Sequence, residues 1–189
     1  MHNRSSTITP SPEPGSGGQS ITTAFSTSDR LEIHELTARY AWSHDTGDED
    51  AFVDCFCRDG ELLWDVFETE GRWQGTQALR RFIGYFRQQP ESAGRQHHVS
   101  NLVIIPTDTG ARARSYVAVA LRRADGPHLL NVMGYYEDEL QREDGCWRLL
   151  RRTIRDWNGP VLARFAGQEG ARSARKRPDA LAGLWETQG

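Results

Sequence analysis

The sequence predicts an α+β fold in which a strongly bent antiparallel sheet wraps over helices packed on one face. Two helical segments come first, two short strands and a third helix follow, and four consecutive β-rich runs complete the domain. Strands joined by short turns form hairpins, so the sheet they build is antiparallel. A bent sheet of this kind can leave a cavity between itself and its helices, and we expect the functional site there.

The helices are predicted from the spacing of their apolar residues. In the first helix this spacing runs from a cap at Ser28 or Asp29 to a stop at Gly47. A short second helix is expected over 48–57 and a third from 76 to about 88. Two helices therefore precede the first strand, and the third helix lies between the second and third strands.

Six segments have the character of strands. In the first, Leu62, Trp64 and Val66 alternate with charged neighbours, which is the period of a half-buried strand. The predicted strands are 61–68, 71–75, 97–106, 111–123, 129–142 and 146–157. The last four are separated by the turn sequences TDTG, RADGP and REDG, which predicts hairpin connections.

The two ends of the chain lack periodic apolar residues. Residues 1–28 are rich in Ser, Thr, Pro and Gly and are predicted to form a disordered arm, because they cannot offset their ordering entropy by burial. Residues 159–189 are predicted to be a C-terminal tail, partly ordered or disordered, either solvated or docked through a segment around 181–185. The folded domain is therefore expected over 29–158.

Charge and apolar content exclude several functions. The formal net charge is -3 and the sequence pI is about 6.1, so no global positive field is available for nucleic acid or an anionic membrane. Lys176 is the only lysine, and the basic cluster at 172–177 is interpreted as solvated. No apolar run approaches the length of about 18 residues that a membrane span needs, and the N-terminus lacks the layout of a signal peptide. We expect a cytoplasmic protein.

The cysteines give no evidence for a disulfide or a metal site. Cys55, Cys57 and Cys146 are odd in number, and the first two are too close in sequence for an ordinary structural bridge. A C-x-C pair without further ligands at zinc spacing indicates packing rather than a metal site. We therefore expect reduced thiols and no bound metal.

Two adjacent histidines occur in the segment RQHHVSN, at the start of the third predicted strand. Alternate side chains of a strand point to opposite faces, so at most one of His97 and His98 lines the cavity. The expected face of His97 carries Val99, Asn101, Val103 and Ile105, and that of His98 carries Ser100, Leu102 and Ile104. Both faces include apolar residues, so this alternation alone leaves open which face points inward.

The first helix offers partners in the segment YAWSHDTGD. Tyr40 and His44 are four residues apart and share one face, whereas Asp45 lies about 140° from Tyr40 around an ideal helix and faces the same space only if the helix ends there. An Asp beside an imidazole fixes its tautomer and raises its basicity, and a phenol can hydrogen-bond an oxygen where negative charge develops. Such groups could abstract a proton next to a carbonyl. A cap, a surface histidine and a packed tyrosine remain the alternative interpretation.

Four segments, in this order, resemble the SnoaL-like members of the nuclear transport factor 2-like superfamily. They are LTARYAWSHDTGDEDAFVDCF, GRWQGTQALRRFI, RQHHVSN and GYYEDELQREDGCWRLLRR. That family includes polyketide cyclases, scytalone dehydratase and bile-acid dehydratase relatives, and the resemblance covers residues 29–158. It implies a cone-shaped subunit, a homodimer or homotrimer, and no metal or organic cofactor.

The resemblance also implies roles for particular residues. It places the family histidine at His97, four residues before Asn101 in an H-x-x-x-N pattern, with Asp45 as its partner and Tyr40 as hydrogen-bond donor to the substrate. The implied activity is that of a lyase or isomerase, of the dehydratase or cyclase type, acting on a small apolar oxygenated molecule such as a polyketide, a steroid-like compound or an aromatic intermediate.

Candidate substrate-binding residues follow from strand alternation and from the motif. They are Trp64, Asn101, Tyr116, Met133 and Tyr135. An aromatic wall would suit a flat ring. Two other functions remain open because the superfamily contains both: a non-catalytic small subunit of a ring-hydroxylating dioxygenase-type complex, and a module that binds a small ligand without chemistry.

Overall fold

The structure is a computed structural model that describes residues 25–158, 161–168 and 175–188. Most of the predicted N-terminal arm, residues 1–24, lies outside the described residues. Its end at Thr27 and Ser28 is helical, so the arm was predicted a few residues too long. In the described part of the chain, no helix is long and apolar enough to cross a membrane.

The helices and strands confirm the predicted α+β order. The helices are α1 Thr27–Thr46, α2 Glu49–Asp54, α3 Gly75–Arg87 and α4 Ala182–Trp185. The strands are β1 Phe56–Asp65, β2 Gly71–Gln74, β3 Gln96–Thr107, β4 Gly110–Leu121, β5 Leu129–Glu143 and β6 Cys146–Asp156. The second helix is shorter than predicted because Phe56 begins a strand.

The strands form one curled sheet in the order β2-β1-β6-β5-β4-β3. All neighbours are antiparallel except β1 and β6, which run parallel. The prediction of a wholly antiparallel sheet was wrong at this pair. These strands lie far apart in sequence, so no hairpin turn dictates their relative direction.

Helix α1 begins at its cap Ser26, two or three residues before the predicted cap. Ser26 Oγ accepts a hydrogen bond from the Asp29 backbone N–H at 3.1 Å, and the Asp29 carboxylate accepts from the Ser26 N–H at 2.6 Å, which is a capping box. The same carboxylate accepts bonds from Trp147 and Arg142 at 2.7 and 2.6 Å. These contacts lower the pKa of Asp29 and tie the start of α1 to the β5–β6 hairpin.

The core lies between the helices and the face of the sheet that they cover, which we call the inner face. Helix α1 packs on β3 and β6, and α3 packs on β1 and β2. The fully buried aromatic residues at the centre are Tyr40, Phe52, Trp73, Phe82 and Tyr136. Large rings bury much apolar area each, so they contribute strongly to the hydrophobic stabilisation of this core.

Strand β3 changes face within its length. Its pairing with β4 shifts between Ser100 and Val103, and Asn101 adopts a φ of 54°. A bulge of this kind inserts one extra residue and reverses the alternation of side chains beyond it. His97 therefore shares the inner face with Ile104, and Val103 is 59% exposed. The predicted grouping of His97 with Val103 and Ile105 was wrong for this reason.

The C-terminal segment 175–188 packs against the domain, as the docked alternative predicted. Arg175 forms a parallel bridge with Phe67, and Leu184 has 0% exposure. The Trp185 ring stacks at 5.9 Å from that of Trp64. The neighbouring residues 169–174 lie outside the described part of the chain, and with them Arg172 of the basic cluster.

Candidate active site

A cavity of about 350 Å³ lies between the inner face of the sheet and the helices. Its aromatic lining consists of Tyr40, Trp64, Phe67, Phe82, Phe86 and Tyr136. Its polar groups include His44, Arg95, His97, Asn131 and Asp156. The C-terminal segment contributes Arg175, Lys176, Pro178 and Leu181 to the same lining. The cavity therefore combines an apolar wall with a few convergent polar groups, as small-molecule sites do.

His97 and Asp45 are in direct contact at the wall of this cavity. His97 Nδ1 lies 2.5 Å from Asp45 Oδ1, and the His97 backbone N–H donates to Asp45 Oδ2 at 2.8 Å. Both side chains are largely buried, with 9% and 16% exposure. An ionised carboxylate only accepts, so Nδ1 carries the proton and Nε2 is the basic ring atom.

Asp45 lies in the last turn of α1 and reaches His97 from there. The helix continues through Thr46, and Gly47 ends it in the left-handed region with a φ of 68°, as predicted. Asp45 does not line the cavity; it borders the outer groove between α1 and β3, behind His97. Because the imidazole lies between the two spaces, Asp45 need not share the face of Tyr40.

Tyr40 lines the same cavity and is 1% exposed. The Arg152 guanidinium carbon lies 4.1 Å from the Tyr40 ring centroid and 4.2 Å from that of Tyr136. Asp138 holds this guanidinium by two bonds of 2.8 and 2.7 Å. Burial raises the pKa of both phenols, although the Arg152 charge opposes the shift. Both hydroxyls therefore stay protonated and are able to donate hydrogen bonds.

His44 contributes a second imidazole that the candidate site residues did not include. Its ring centroid lies 4.3 Å from that of His97 and 5.2 Å from that of Phe86. The His44 Nδ1 atom is buried without a hydrogen-bond partner in the described part of the chain. Burial, reinforced by His97 and Arg95, lowers the pKa of His44 well below its usual value, so this ring is neutral at pH 7.

Comparison with known proteins decides the family. The family model described as "SnoaL-like domain" matches residues 26–153. The chain belongs to the SnoaL-like family. No curated protein sequence matches it.

Solved structures show the same fold. An NTF2-like protein with a cystatin-like fold from Novosphingobium aromaticivorans is 27% identical with a TM-score of 0.64, over 72% of this chain and 87% of that one. From the same organism, a protein provisionally named an aromatic ring hydroxylase is 25% identical with a TM-score of 0.61, over 70% and 91%. Another, provisionally named a scytalone dehydratase, is 20% identical with a TM-score of 0.59, over 79% and 90%, and this likeness shows the fold alone.

In this SnoaL-like protein, most of the residues that were expected to line the cavity lie elsewhere. Trp64 lines it, but Asn101, Tyr116, Met133 and Tyr135 do not. Tyr116 and Met133 lie on the outer face with exposures of 47% and 57%, and Tyr135 faces Trp157 with a ring distance of 5.9 Å. Asn101 lies at the bulge and borders the outer groove. The wall was assigned to the wrong face because alternation in a strand does not reveal which face the helices cover.

The strand neighbours of those residues form the actual wall. Val117, Val132 and Tyr136 are each one residue away from Tyr116, Met133 and Tyr135 and line the cavity instead. The alternation in the strands predicts these residues if the opposite face of the sheet is taken as the inner one. The spacing of four residues from Tyr40 likewise indicates that His44 shares its helix face. No pattern in the sequence indicates Arg95, which precedes β3.

One group among the described residues has the composition of a metal site. The ligand atoms of His44, Asp45 and His97 lie within 4.8 Å of one another. A cation bound there through His97 Nδ1 would have to replace the proton shared with Asp45, because the two atoms are already in contact. The geometry accordingly fits a hydrogen-bonded pair better than a metal cage.

Proposed function

We propose that the protein is a cofactor-independent lyase or isomerase of the dehydratase or cyclase type. His97 is the general base, Asp45 orients the imidazole and stabilises its charged form, and Tyr40 donates a hydrogen bond to the substrate. The observation that carries this proposal is the double contact of Asp45 with His97, at 2.5 and 2.8 Å, on a ring that lines an aromatic cavity. Membership of a family with many cyclases, isomerases and dehydratases supports it.

The proposed reaction begins with proton transfer from carbon. His97 Nε2 takes a proton from a carbon next to a carbonyl, and the C–H electron pair moves to the carbonyl oxygen, where Tyr40 donates its hydrogen bond. In a dehydration, these electrons return to form a C=C bond and expel a β-hydroxyl, which takes the proton from His97 and leaves as water. In an isomerisation, His97 returns the proton to a different carbon.

The surroundings of these residues suit such a reaction. Asp45 stabilises the imidazolium that forms when His97 accepts the proton. Tyr40 remains a donor because burial raises its pKa. The C-terminal segment covers the cavity through Pro178 and Leu181, which limits the access of water to the reacting atoms.

The cavity wall supports a small, flat and largely apolar substrate. Trp64, Phe82, Phe86 and Tyr136 provide aromatic surfaces, and the volume of about 350 Å³ is that of a small-molecule site. A polyketide, a steroid-like compound or an aromatic intermediate has this shape.

We also propose a homodimer or homotrimer, because the outer face exposes Val103, Ile105 and Met133. Light scattering of the purified protein measures that state.

The experiment that tests catalysis is hydrogen exchange at an acidic carbon. 2-Tetralone, a flat ketone with exchangeable C–H groups, is incubated with the protein in D₂O and followed by NMR. We expect exchange above the buffer rate in the wild type and a loss of about 10²-fold or more in Asp45→Asn. Treatment with a chelator should leave the rate unchanged.

Asp48→Asn is the matched control for Asp45→Asn. Asp48 is exposed and caps α2 by accepting from the Ala51 N–H at 3.0 Å, a role that asparagine also fills. Its variant should retain full exchange. If 2-tetralone binds and exchanges only at the buffer rate, the protein is a ligand-binding module and the proposed catalysis is wrong.

A further inference from the structure

Arg95 is a cation in the cavity wall that forms no ion pair with the described residues. Burial lowers its pKa, and the more distant carboxylates of Asp45 and Glu91 only partly oppose this shift. It directly precedes β3, and no carboxylate of the described residues lies within ion-pair distance of its guanidinium. Its hydrogen bond within the described part of the chain goes to Ser92 Oγ at 3.2 Å, and its Nε is buried without a partner. A guanidinium has five N–H donors, so most of its capacity is unused.

The other arginines near the cavity are paired. Arg152 is fully buried and held by both oxygens of Asp138. Arg175 lines the same cavity and pairs with Asp156 at 2.5 Å. Arg155 borders the cavity as well, and its guanidinium pairs with Glu137 on the outer face at 2.5 Å. Burying a charge is costly unless it is paired, so the unpaired state of Arg95 needs an explanation.

Arg95 is placed beside the proposed catalytic base. Its guanidinium carbon lies 4.7 Å from the centroid of the Phe86 ring, against which it stacks. Phe86 contacts His44 at 5.2 Å, and His44 contacts His97 at 4.3 Å. All four side chains line the cavity, and Arg95 also borders the outer groove. The Arg95 charge also contributes to lowering the pKa of His44, so its field reaches the catalytic end of the site.

We propose that Arg95 binds a carboxylate of the substrate, so that the substrate of this site is an organic acid with an apolar ring. The assignment rests on the proposed function in taking this cavity as the substrate site. The planar guanidinium can donate two parallel hydrogen bonds to a carboxylate, and the bound acid supplies a counter-charge at ion-pair distance. Stacking on Phe86 holds the guanidinium plane, and the carboxylate end of the substrate then lies on the His44 side of His97.

The test compares two ligands that differ only in charge. 2-Naphthoate and 2-naphthamide share one flat ring system, and at pH 7.5 only the first is an anion. Their dissociation constants are measured by calorimetry on the full chain. We expect the wild type to bind the acid at least about tenfold more tightly, and Arg95→Met to remove the preference. Arg95→Lys should retain part of the preference, because lysine keeps the positive charge but cannot donate two parallel hydrogen bonds from a planar group.

Arg123→Met is the matched control. Arg123 is an exposed cation between β4 and β5 and does not line the cavity, so its loss removes the same charge away from the site. This variant should keep most of the preference for the acid. A wild-type ratio near one would overturn the proposal, and so would equal ratios in the wild type and Arg95→Met. If Arg95→Met does not fold, the ratio of the two dissociation constants in the wild type alone tests the proposal.

The result is independent of the exchange experiment on 2-tetralone. If 2-naphthoate is preferred through Arg95 while 2-tetralone exchanges only at the buffer rate, the carboxylate site stands and the catalytic function fails. If exchange depends on Asp45 while acid and amide bind equally, the catalytic function stands and the carboxylate site fails.

Discussion

The two faces of the sheet place the same chemistry in different surroundings. On β5, Asp138 points inward and holds Arg152 by two bonds, both side chains being at most 1% exposed. The adjacent Glu137 points outward and pairs with Arg155 at 2.5 Å, with 30% and 35% exposure. The inner pair positions a cation between Tyr40 and Tyr136, whereas water shares the charge of the outer pair. The depth of burial therefore decides whether an ion pair positions a charge within the core or shares that charge with water.

The doubled histidine shows the same contrast on β3. His97 lines the cavity and bonds Asp45, whereas the exposed His98 borders the outer groove. One position along the strand separates a ring with a fixed tautomer from a ring in water. We therefore expect the contribution of each histidine to activity to depend on the face of the strand on which it lies.

The largest expected effect is on turnover when the inner histidine is removed. His97→Ala should lower the exchange rate of 2-tetralone by about 10²- to 10⁴-fold, which is the usual contribution of a positioned general base. His98→Ala should retain most of it. Circular dichroism checks that both variants fold. Equal losses in the two variants, or no loss in either, would contradict the assignment of the base.

Breaking the inner ion pair should cost the most stability. Asp138→Asn leaves the Arg152 charge buried without compensation, so the free energy of unfolding should fall by about 3–5 kcal/mol. Glu137→Gln on the outer face should cost less than about 1 kcal/mol, because exposed pairs contribute little. Urea denaturation measures both. A similar cost for the two variants would show that burial is not the controlling variable.

A smaller effect concerns pH. The pKa of His44 is lowered in the folded protein, so below about 6.5 its unfolded form binds a proton that the folded form does not. The free energy of unfolding should then decrease as the pH falls from 7 to 5, with His44 contributing up to about 1.4 kcal/mol per pH unit. His44→Gln should flatten this slope.

His34→Gln provides the comparison for His44→Gln. His34 is exposed on the same helix, so its replacement should leave the pH dependence of the unfolding free energy unchanged. Denaturant titrations at several pH values supply the slopes. Identical slopes in the wild type and His44→Gln would show that this ring does not remain neutral.

Local signals in the sequence predicted most of the fold. Apolar spacing and turn residues predicted α1, α3 and the four hairpin strands with bounds close to those observed, because these features depend on neighbours in sequence. Resemblance to the SnoaL-like family pointed to Tyr40, Asp45 and His97, two of which the structure brings into contact. Their catalytic roles remain predictions.

The sequence by itself determined the order of the elements, the end of α1 at Gly47 and the opposite orientation of His97 and His98, since each follows from local backbone geometry. Only the tertiary structure decided which face of the sheet is inner, where β3 changes face at Asn101, and that β1 pairs with β6. It alone placed Arg95 in the cavity wall without an ion-pair partner among the described residues. These features depend on contacts between residues far apart in the chain, and no local pattern encodes such contacts.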